Sequence, residues 1–397
     1  MRIVLIADTF PPLRSSGAVQ LRDLSREFVL QGHILTVMLP SSGLSQPWLI
    51  EDHNGVQVLR LRAPKTKDIN YVCRTINEFL MPFAMLHNLR KSPLAKEQWD
   101  GVVWYAPSIF LGPIASSLKK MSECKAYLII RDIFPEWAAD MGLMSRGLAY
   151  RFFKMIANYQ YSVADVIGIQ AQGNQIYFRD IKDCHIEVLQ NWLTDAPSLG
   201  CSISVASTVL AGRTIFVYAG NMGVAQGMTV LIDLAERLLY RTDIGFLFVG
   251  RGSDAQYLRK DAKARGLDNV IFFDEIDPKE IPGLYAQCHI GIVALDPRHK
   301  THNIPGKFLS YMQAGLPVLA SINPGNDFEE MILSEKVGRV CNDYSVDTLQ
   351  RVALDLLDEV AGNIANYQAV SARCKALSAK LFSPEVTVKQ ILSALAS

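Results

Sequence analysis

Residues 214–250 read TIFVYAGNMGVAQGMTVLIDLAERLLYRTDIGFLFVG, and this stretch decides the fold. An apolar run at 214–219 leads into the glycines Gly220, Gly223 and Gly227. The segment VLIDLAERLLYR then shows helical periodicity, and a second apolar run follows at 245–249. Runs that stay apolar at successive positions fit strands buried on both faces of a parallel sheet. Strand, turn, helix and strand make a βαβ unit, and its repetition builds a doubly wound α/β sheet.

The same alternation extends in both directions. Strands are expected at 3–7, 34–39, 56–61, 101–105, 126–130, 166–170 and 186–189, then at 214–219, 245–249, 270–273, 290–294, 318–321 and 338–340. The pattern lapses at 195–213, DAPSLGCSISVASTVLAGR, a Ser-, Gly- and Ala-rich segment that reads as a linker. With 397 residues the chain is too long for one ordinary core. The expected organisation is a Rossmann-like domain at 1–194, the linker, a second Rossmann-like domain at 214–380, and a final helix at 381–397 packing back on the first. In such sheets ligands sit beyond the carboxyl ends of the strands, so the cleft between two facing domains is the expected site.

Composition narrows the function. Forty Lys and Arg against 39 Asp and Glu leave a net charge of +1, which argues against a nucleic acid held by bulk charge. The seven cysteines (Cys73, Cys124, Cys184, Cys201, Cys288, Cys341, Cys374) form no C-x-x-C pair, as expected for a reduced cytoplasmic protein without structural zinc. MRIVLIADTF reads as a strand and not as a signal peptide, and no stretch is apolar enough for a membrane span. SRGLAYRFFKMIANYQYSVAD, with Arg146, Arg151 and Lys154 among aromatics, and FLMPFAMLHNLRK fit either core-facing helices or a surface that lies on an anionic membrane.

The second half carries the anion-binding signals. In HNIPGKFLSYMQAGLPVLA, residues 302–320, Pro305 suits the first turn of a helix, Gly306 admits a ligand close to the backbone, and Lys307 adds charge where free N–H groups already favour anions. The alternative is a helix cap with a solvated lysine. Two glycine turns, at Gly220 and at Gly250-Arg251-Gly252, end successive strands and converge with it on one rim. The spacing is not that of a dinucleotide fingerprint. His299 and His302 lie on the loop before Lys307, but no third ligand stands at matching spacing, so no metal is expected.

In the first half, Ser15-Ser16-Gly17 lies between the first strand and a long helix, either facing a ligand or making a plain turn. YLIIRDIFPEWAAD ends a buried strand on Arg131 and Asp132, with Glu136 just beyond. Asp132 fits a base or a stabiliser of positive charge, or else a turn-forming partner of Arg131.

In order along nearly its whole length, the chain resembles glycosyltransferase family 4 of the GT-B fold. FPPLRSSGA with FVLQGHILTVMLP, YSVADVIGIQAQG, VLQNWLTD with Asn191, YAGNMGVAQGMTVLIDLA, FVGRGSDAQYL and PGKFLSYMQAGLPVLA carry the likeness. IIRDIFPEW is similar to a bacterial branch related to L-fucosamine transferases of O-antigen and capsule assembly. The resemblance implies a nucleotide-sugar diphosphate held at Gly220 and Lys307, with Ser16 and Gly17 meeting it from the first domain. It also implies retention of configuration. Asn221 and Gln226 stand where many members have Arg and Lys, and His302 and Ser310 stand where the family has paired glutamates. The diphosphate cation must therefore come from Lys307 or Arg251.

The expected function is a metal-independent transferase without a cofactor. It would move a sugar, such as N-acetyl-L-fucosamine, from a UDP-linked donor to a lipid-linked saccharide at the inner-membrane surface. The donor set is Ser16, Gly17, Gly220, Asn221, Gln226, Arg251, Gly252, His302, Pro305, Gly306, Lys307 and Ser310. Asp132, Glu136 and Lys307 are the catalytic candidates. An epimerase or hydrolase of nucleotide sugars, or a non-catalytic subunit, is the alternative.

Overall fold

Strand β1 (Arg2–Ile6) shows how the first half is built. Its alternate residues serve two cores: Ile3 and Leu5 face one, Val4 and Ile6 the other. Burial on both faces explains the unbroken apolar run. The computed structural model describes residues 1–13, 15–194, 200–302 and 304–397. Two units result, one of Met1–Trp192 with Pro384–Ser397 and one of Leu193–Ser383. The chain is α/β, with one largely parallel sheet in each unit.

The first unit continues with β2 (Ile34–Ser41), β3 (Trp48–His53), β4 (Val56–Arg62), β5 (Gly101–Ala106), β6 (Lys125–Ile130), β7 (Val166–Ile169) and β8 (His185–Val188), in the sheet order β3-β4-β2-β1-β5-β6-β7-β8. Helix α1 (Ser16–Leu30) covers one face together with the terminal helix Pro384–Ala396, whose Val388, Ile391 and Leu395 join Leu21, Leu24 and Phe28 in one core. Helices α2 (Tyr71–Leu89), α3 (Gly112–Ser122), α4 (Glu136–Asp140) and α5 (Leu148–Val163) follow in the chain. Residues of α2, α3 and α5 fill the opposite core.

One strand departs from expectation. Strand β3 runs antiparallel to β4 at the sheet edge. Its half-buried WLIEDH lacks the apolar run of the parallel strands. The turn Asn54-Gly55, with φ of 56° and 84°, is the hairpin signal that the strand itself lacks.

The second unit holds β9 (Thr214–Ala219), β10 (Ile244–Val249), β11 (Val270–Phe273), β12 (Ile290–Ala294), β13 (Val318–Ser321) and β14 (Gly338–Cys341), ordered β11-β10-β9-β12-β13-β14. Helices α6 (Thr229–Arg237), α7 (Ala255–Ala264), α8 (Ile281–Tyr285) and α9 (Gly306–Ala314) lie between successive strands. Residues 200–213, expected as linker, belong to this unit. Ile203, Val205 and Leu210 are buried in its core, and a Cβ at Gly245 would lie 2.8 Å from Leu210 Cδ2. Residues 195–199 of the same segment lie outside the described residues.

Candidate functional site

In each sheet the strand order reverses at one point, between β1 and β5 in the first unit and between β9 and β12 in the second. Loops leaving the carboxyl ends of such a pair diverge and open a crevice, where α/β folds place their ligands.

In the first unit, Asp8 follows β1, Tyr105 is the penultimate residue of β5, and Arg131 and Asp132 follow β6. Ser15 caps α1 by accepting the Ala18 N–H at 3.3 Å, and its hydroxyl shares a 3.0 Å hydrogen bond with Thr9 Oγ1. Ser16 is exposed at the helix start. A Cβ at Gly17 would meet Thr9 Cγ2 at 3.3 Å and the Tyr105 ring at 3.4 Å, so this glycine lets the helix start close on the strand ends. Tyr105 OH donates to Gln20 Oε1 at 3.1 Å, and Gln20 donates to Asn191 Oδ1 at 3.3 Å. Arg131 is buried, donates to the Leu189 and Gln190 carbonyls at 2.9 and 3.3 Å, and lies over the Trp192 ring at 4.8 Å. It holds the rim in shape.

Asp132 and Glu136 part company. Asp132 is exposed, whereas Glu136 is buried and paired with Lys154 of α5. A carboxylate turned inward to an ammonium supports packing of α4 on α5, so the two acids do not form one cluster. Asp8 was missed by the sequence reading. Its Oδ1 is buried without a hydrogen bond among the described residues, and burial raises its pKa above the ordinary carboxylate value.

In the second unit, the turns after β9 and β10 dock backbone to backbone. Gly220 N–H donates to Val249 O at 2.9 Å and Met222 N–H to Arg251 O at 2.8 Å. A Cβ at Gly252, where φ is 154°, would lie 2.2 Å from the Met222 carbonyl oxygen. Turn-on-turn packing therefore accounts for this glycine. Asn221 Nδ2 and Gly223 N–H both donate to Gln226 Oε1, at 3.0 and 2.9 Å, so Asn221 and Gln226 clamp the first turn onto itself.

Lys307 reaches into this arrangement from α9. Its Nζ donates to Tyr218 OH at 2.8 Å and sits 4.0 Å from the Tyr218 ring centroid. Tyr218 OH in turn donates to the Asn221 carbonyl at 2.6 Å. The lysine side chain is partly exposed, yet burial lowers its pKa to about 7. Among the described residues no carboxylate pairs with it. A Cβ on Gly220, where φ is 140°, would lie 3.5 Å from Lys307 Cε. Pro305 is the N-cap of α9 and not its first residue, and it makes no side-chain cap bond. Gly306 opens the helix, and a Cβ there would meet nothing within 4 Å, so crowding does not explain this glycine.

Comparisons with known proteins point the same way. Residues 213–359 match the family described as Glycosyl transferases group 1. The probable glycosyltransferase WbjE of Pseudomonas aeruginosa is 24% identical over 59% of this chain and 60% of its own length. WcaI of Escherichia coli K12, whose name assigns it to colanic acid biosynthesis as a glycosyl transferase, is 25% identical over 50% of this chain and 52% of its own. The chain thus spans between half and two thirds of the curated relatives it matches. The crystal structure of Anabaena Alr3699/HepE in complex with UDP superposes with a TM-score of 0.68 at 14% identity, covering 100% of each chain. That likeness bears out the GT-B fold.

Within the matched stretch 213–359 the other expected residues have separate partners. Arg251 is exposed and paired with Glu275 at 2.8 Å. His302 Nδ1 lies 2.9 Å from Asp327 Oδ1. Ser310 is half-buried one turn after Lys307 on α9. Tyr218, which holds Lys307, was hidden as the polar tip of a residue in an apolar strand. A fully buried tyrosine needs a partner for its hydroxyl, and that was the available signal. Among the described residues no three His, Cys, Asp or Glu side chains converge as metal ligands.

Proposed function

We propose that the chain is a glycosyltransferase of bacterial surface-polysaccharide assembly. It takes a sugar from a UDP-linked donor bound by the second unit and passes it to a lipid-linked saccharide bound by the first. One observation carries this reading. The Lys307 ammonium is half-buried, with its pKa lowered by desolvation, and has no carboxylate partner among the described residues, beside the Gly220 turn and the amino end of α9. An ammonium so placed is costly unless an anion meets it.

Departure of a nucleoside diphosphate puts negative charge where Lys307 and the first N–H groups of α9 can answer it. Groups that strengthen as charge develops lower the barrier. The anomeric carbon turns positive in the same step, and Asp132, exposed after β6, is the acid assigned to it. Glu136 leaves the catalytic set, because its carboxylate is committed to Lys154. The name of WbjE supports glycosyl transfer, that of WcaI supports a role in polysaccharide assembly, and UDP in the Anabaena complex supports the base. Fucosamine and retention are what the sequence resemblance implies, and metal independence follows from the lack of a third ligand spaced to join His299 and His302.

The membrane side of the reading rests on two helices. On α2 the exposed apolar residues Tyr71, Val72, Ile76, Phe79, Leu80 and Phe83 include Tyr71 at 86% exposure. On α5, Leu148 (85% exposed), Phe152, Met155 and Tyr159 recur at helical spacing, with exposed Arg151 and no acid in the helix. An apolar stripe beside basic residues suits the surface of an anionic bilayer, which supports a location on the cytoplasmic face of the inner membrane. Among the described residues no helix is long and apolar enough to cross a membrane.

The test is thermal unfolding of the purified chain with UDP, GDP, ADP and dTDP. Ligand at 100 times its dissociation constant stabilises by about 2.7 kcal/mol. A selective rise with UDP is expected, and no rise with any nucleotide refutes the proposal. Lys307→Ala should lower turnover about 10²-fold or more. Unchanged turnover removes Lys307 from the role.

A further inference from the structure

Two separate features of the first unit meet at Asp8. The first is topological. The sheet reverses between β1 and β5, and Asp8 stands after β1 while Tyr105 lies at the carboxyl end of β5, one residue before its last, so Asp8 lies on the crevice where a doubly wound sheet receives its ligand. The second is chemical. Asp8 Oδ1 is buried and accepts no hydrogen bond among the described residues.

Cations are near without relieving it. Lys67, after β4, and Arg74, on α2, both act on Asp8 electrostatically, but desolvation outweighs them. Arg74 donates through Nε to Glu78 Oε1 at 2.8 Å, one turn along the same helix. Glu78 is itself partly withdrawn from water, and the Asp8 charge disfavours its ionised form further. Asp8 and Glu78 are thus balanced in sign by Lys67 and Arg74, while one carboxylate oxygen still lacks a donor. An oxygen left so is costly, and folds keep such costs mainly where a ligand relieves them.

We infer that Asp8 is a binding carboxylate of the acceptor site, its buried oxygen accepting a hydrogen bond from a hydroxyl of the acceptor saccharide. The inference rests on the transferase reading above. A hydroxyl is the donor that fits, because it is neutral. It satisfies the oxygen without upsetting the balance among Asp8, Glu78, Lys67 and Arg74, whereas an ammonium ligand would meet the field of both bases.

The experiment compares the full chain with its Asp8→Asn variant. A carboxyl whose folded-state pKa is raised contributes stability below its ordinary pKa and loses it as pH rises through the folded value. The Asn variant should therefore melt at or above the wild type at pH 7, with the gap closing toward pH 4. Both proteins should show the same thermal shift with UDP. With UDP-sugars as donors and a panel of n-octyl hexosides and N-acetylhexosaminides as probe acceptors, the variant's acceptor KM should rise at least tenfold with the donor KM unchanged. A variant melting well below the wild type at pH 7 would make Asp8 a structural residue and overturn the inference. So would an unchanged acceptor KM, or a wild type that binds UDP yet uses no octyl glycoside. A wild type that shows no shift with UDP overturns the transferase reading itself, and this inference with it.

Discussion

Donor binding should consume a proton, because Lys307 is held at a pKa of about 7 before any diphosphate arrives. At pH 8 such a group is about nine-tenths neutral, and a diphosphate beside it favours the charged form. Each donor bound at pH 8 should then take up about 0.9 proton. If Lys307 is fully charged in the complex, affinity falls about 5.5-fold from pH 7 to 8 and approaches tenfold per unit beyond, or about twenty-five-fold between pH 6.5 and 8.5. The ligand of choice is a UDP-sugar, which lacks the terminal phosphate group of UDP that titrates near pH 6. Calorimetry in two buffers of different ionisation enthalpy reads the proton count directly. Lys307→Arg keeps its charge throughout this range and should bind with a flat pH profile, and Lys307→Met should bind weakly and also flatly. The free protein carries the complementary sign. Its folded state binds fewer protons than the unfolded chain above pH 7, so stability should rise with pH between 7 and the ordinary lysine value, a rise that Lys307→Met abolishes. An affinity independent of pH in the wild type, or an equal slope in Lys307→Met, would refute the reasoning.

Other expectations follow from packing and exposure. Ile391→Ala removes a fully buried side chain of the terminal helix from the core of the first unit, and should cost about 2–5 kcal/mol in urea unfolding. Arg251→Ala breaks an exposed ion pair with Glu275, so its melting temperature should barely move. Any loss of donor affinity in that variant would then report a contact with the donor. Phe79→Asp combined with Phe83→Asp alters only exposed positions of α2. It should abolish co-sedimentation with phosphatidylglycerol vesicles while leaving the UDP shift intact.

Strand positions were legible because burial on both sheet faces leaves an apolar run in the sequence, as at Arg2–Ile6 and Ile244–Val249. Trp48–His53 escaped because an edge strand is only half covered, and its evidence lay next door in Asn54-Gly55. The stretch 200–213 misled for a related reason. Its Ser and Gly content looks like linker, while Ile203, Val205 and Leu210 anchor it at a spacing with no helical or strand period. In the site, Lys307 and Gly220 could each be named from local chemistry. Their contact could not, because it depends on how α9 and β9 come together in space. Glu136 shows the limit of proximity in sequence. It follows Asp132 closely, yet the intervening turn sends Asp132 to solvent and Glu136 inward to Lys154.

The clamp of Asn221 on Gln226 explains why so much should rest on one lysine. Basic residues in that turn would bring permanent charge to a diphosphate, and their charge would further depress any lysine nearby. Asn221 and Gln226 instead use their amides on each other and on Gly223 N–H, which fixes the turn but adds no net charge. Arg251, the other cation expected near the donor, is neutralised by Glu275 in solvent. Lys307 is then the cation at the Gly220 turn, held over the Tyr218 ring and bonded to its hydroxyl. Because Tyr218 OH also donates to the Asn221 carbonyl, the clamp and the lysine share one hydrogen-bond chain. Tyr218→Phe would keep the ring beneath the ammonium but cut that chain, leaving the Asn221 carbonyl without this donor and the lysine free to change rotamer. A donor KM that rises with kcat nearly unchanged would identify Tyr218 as a residue that positions Lys307 for binding. An equal fall in kcat and kcat/KM would mean instead that the lysine's placement matters only as the diphosphate departs.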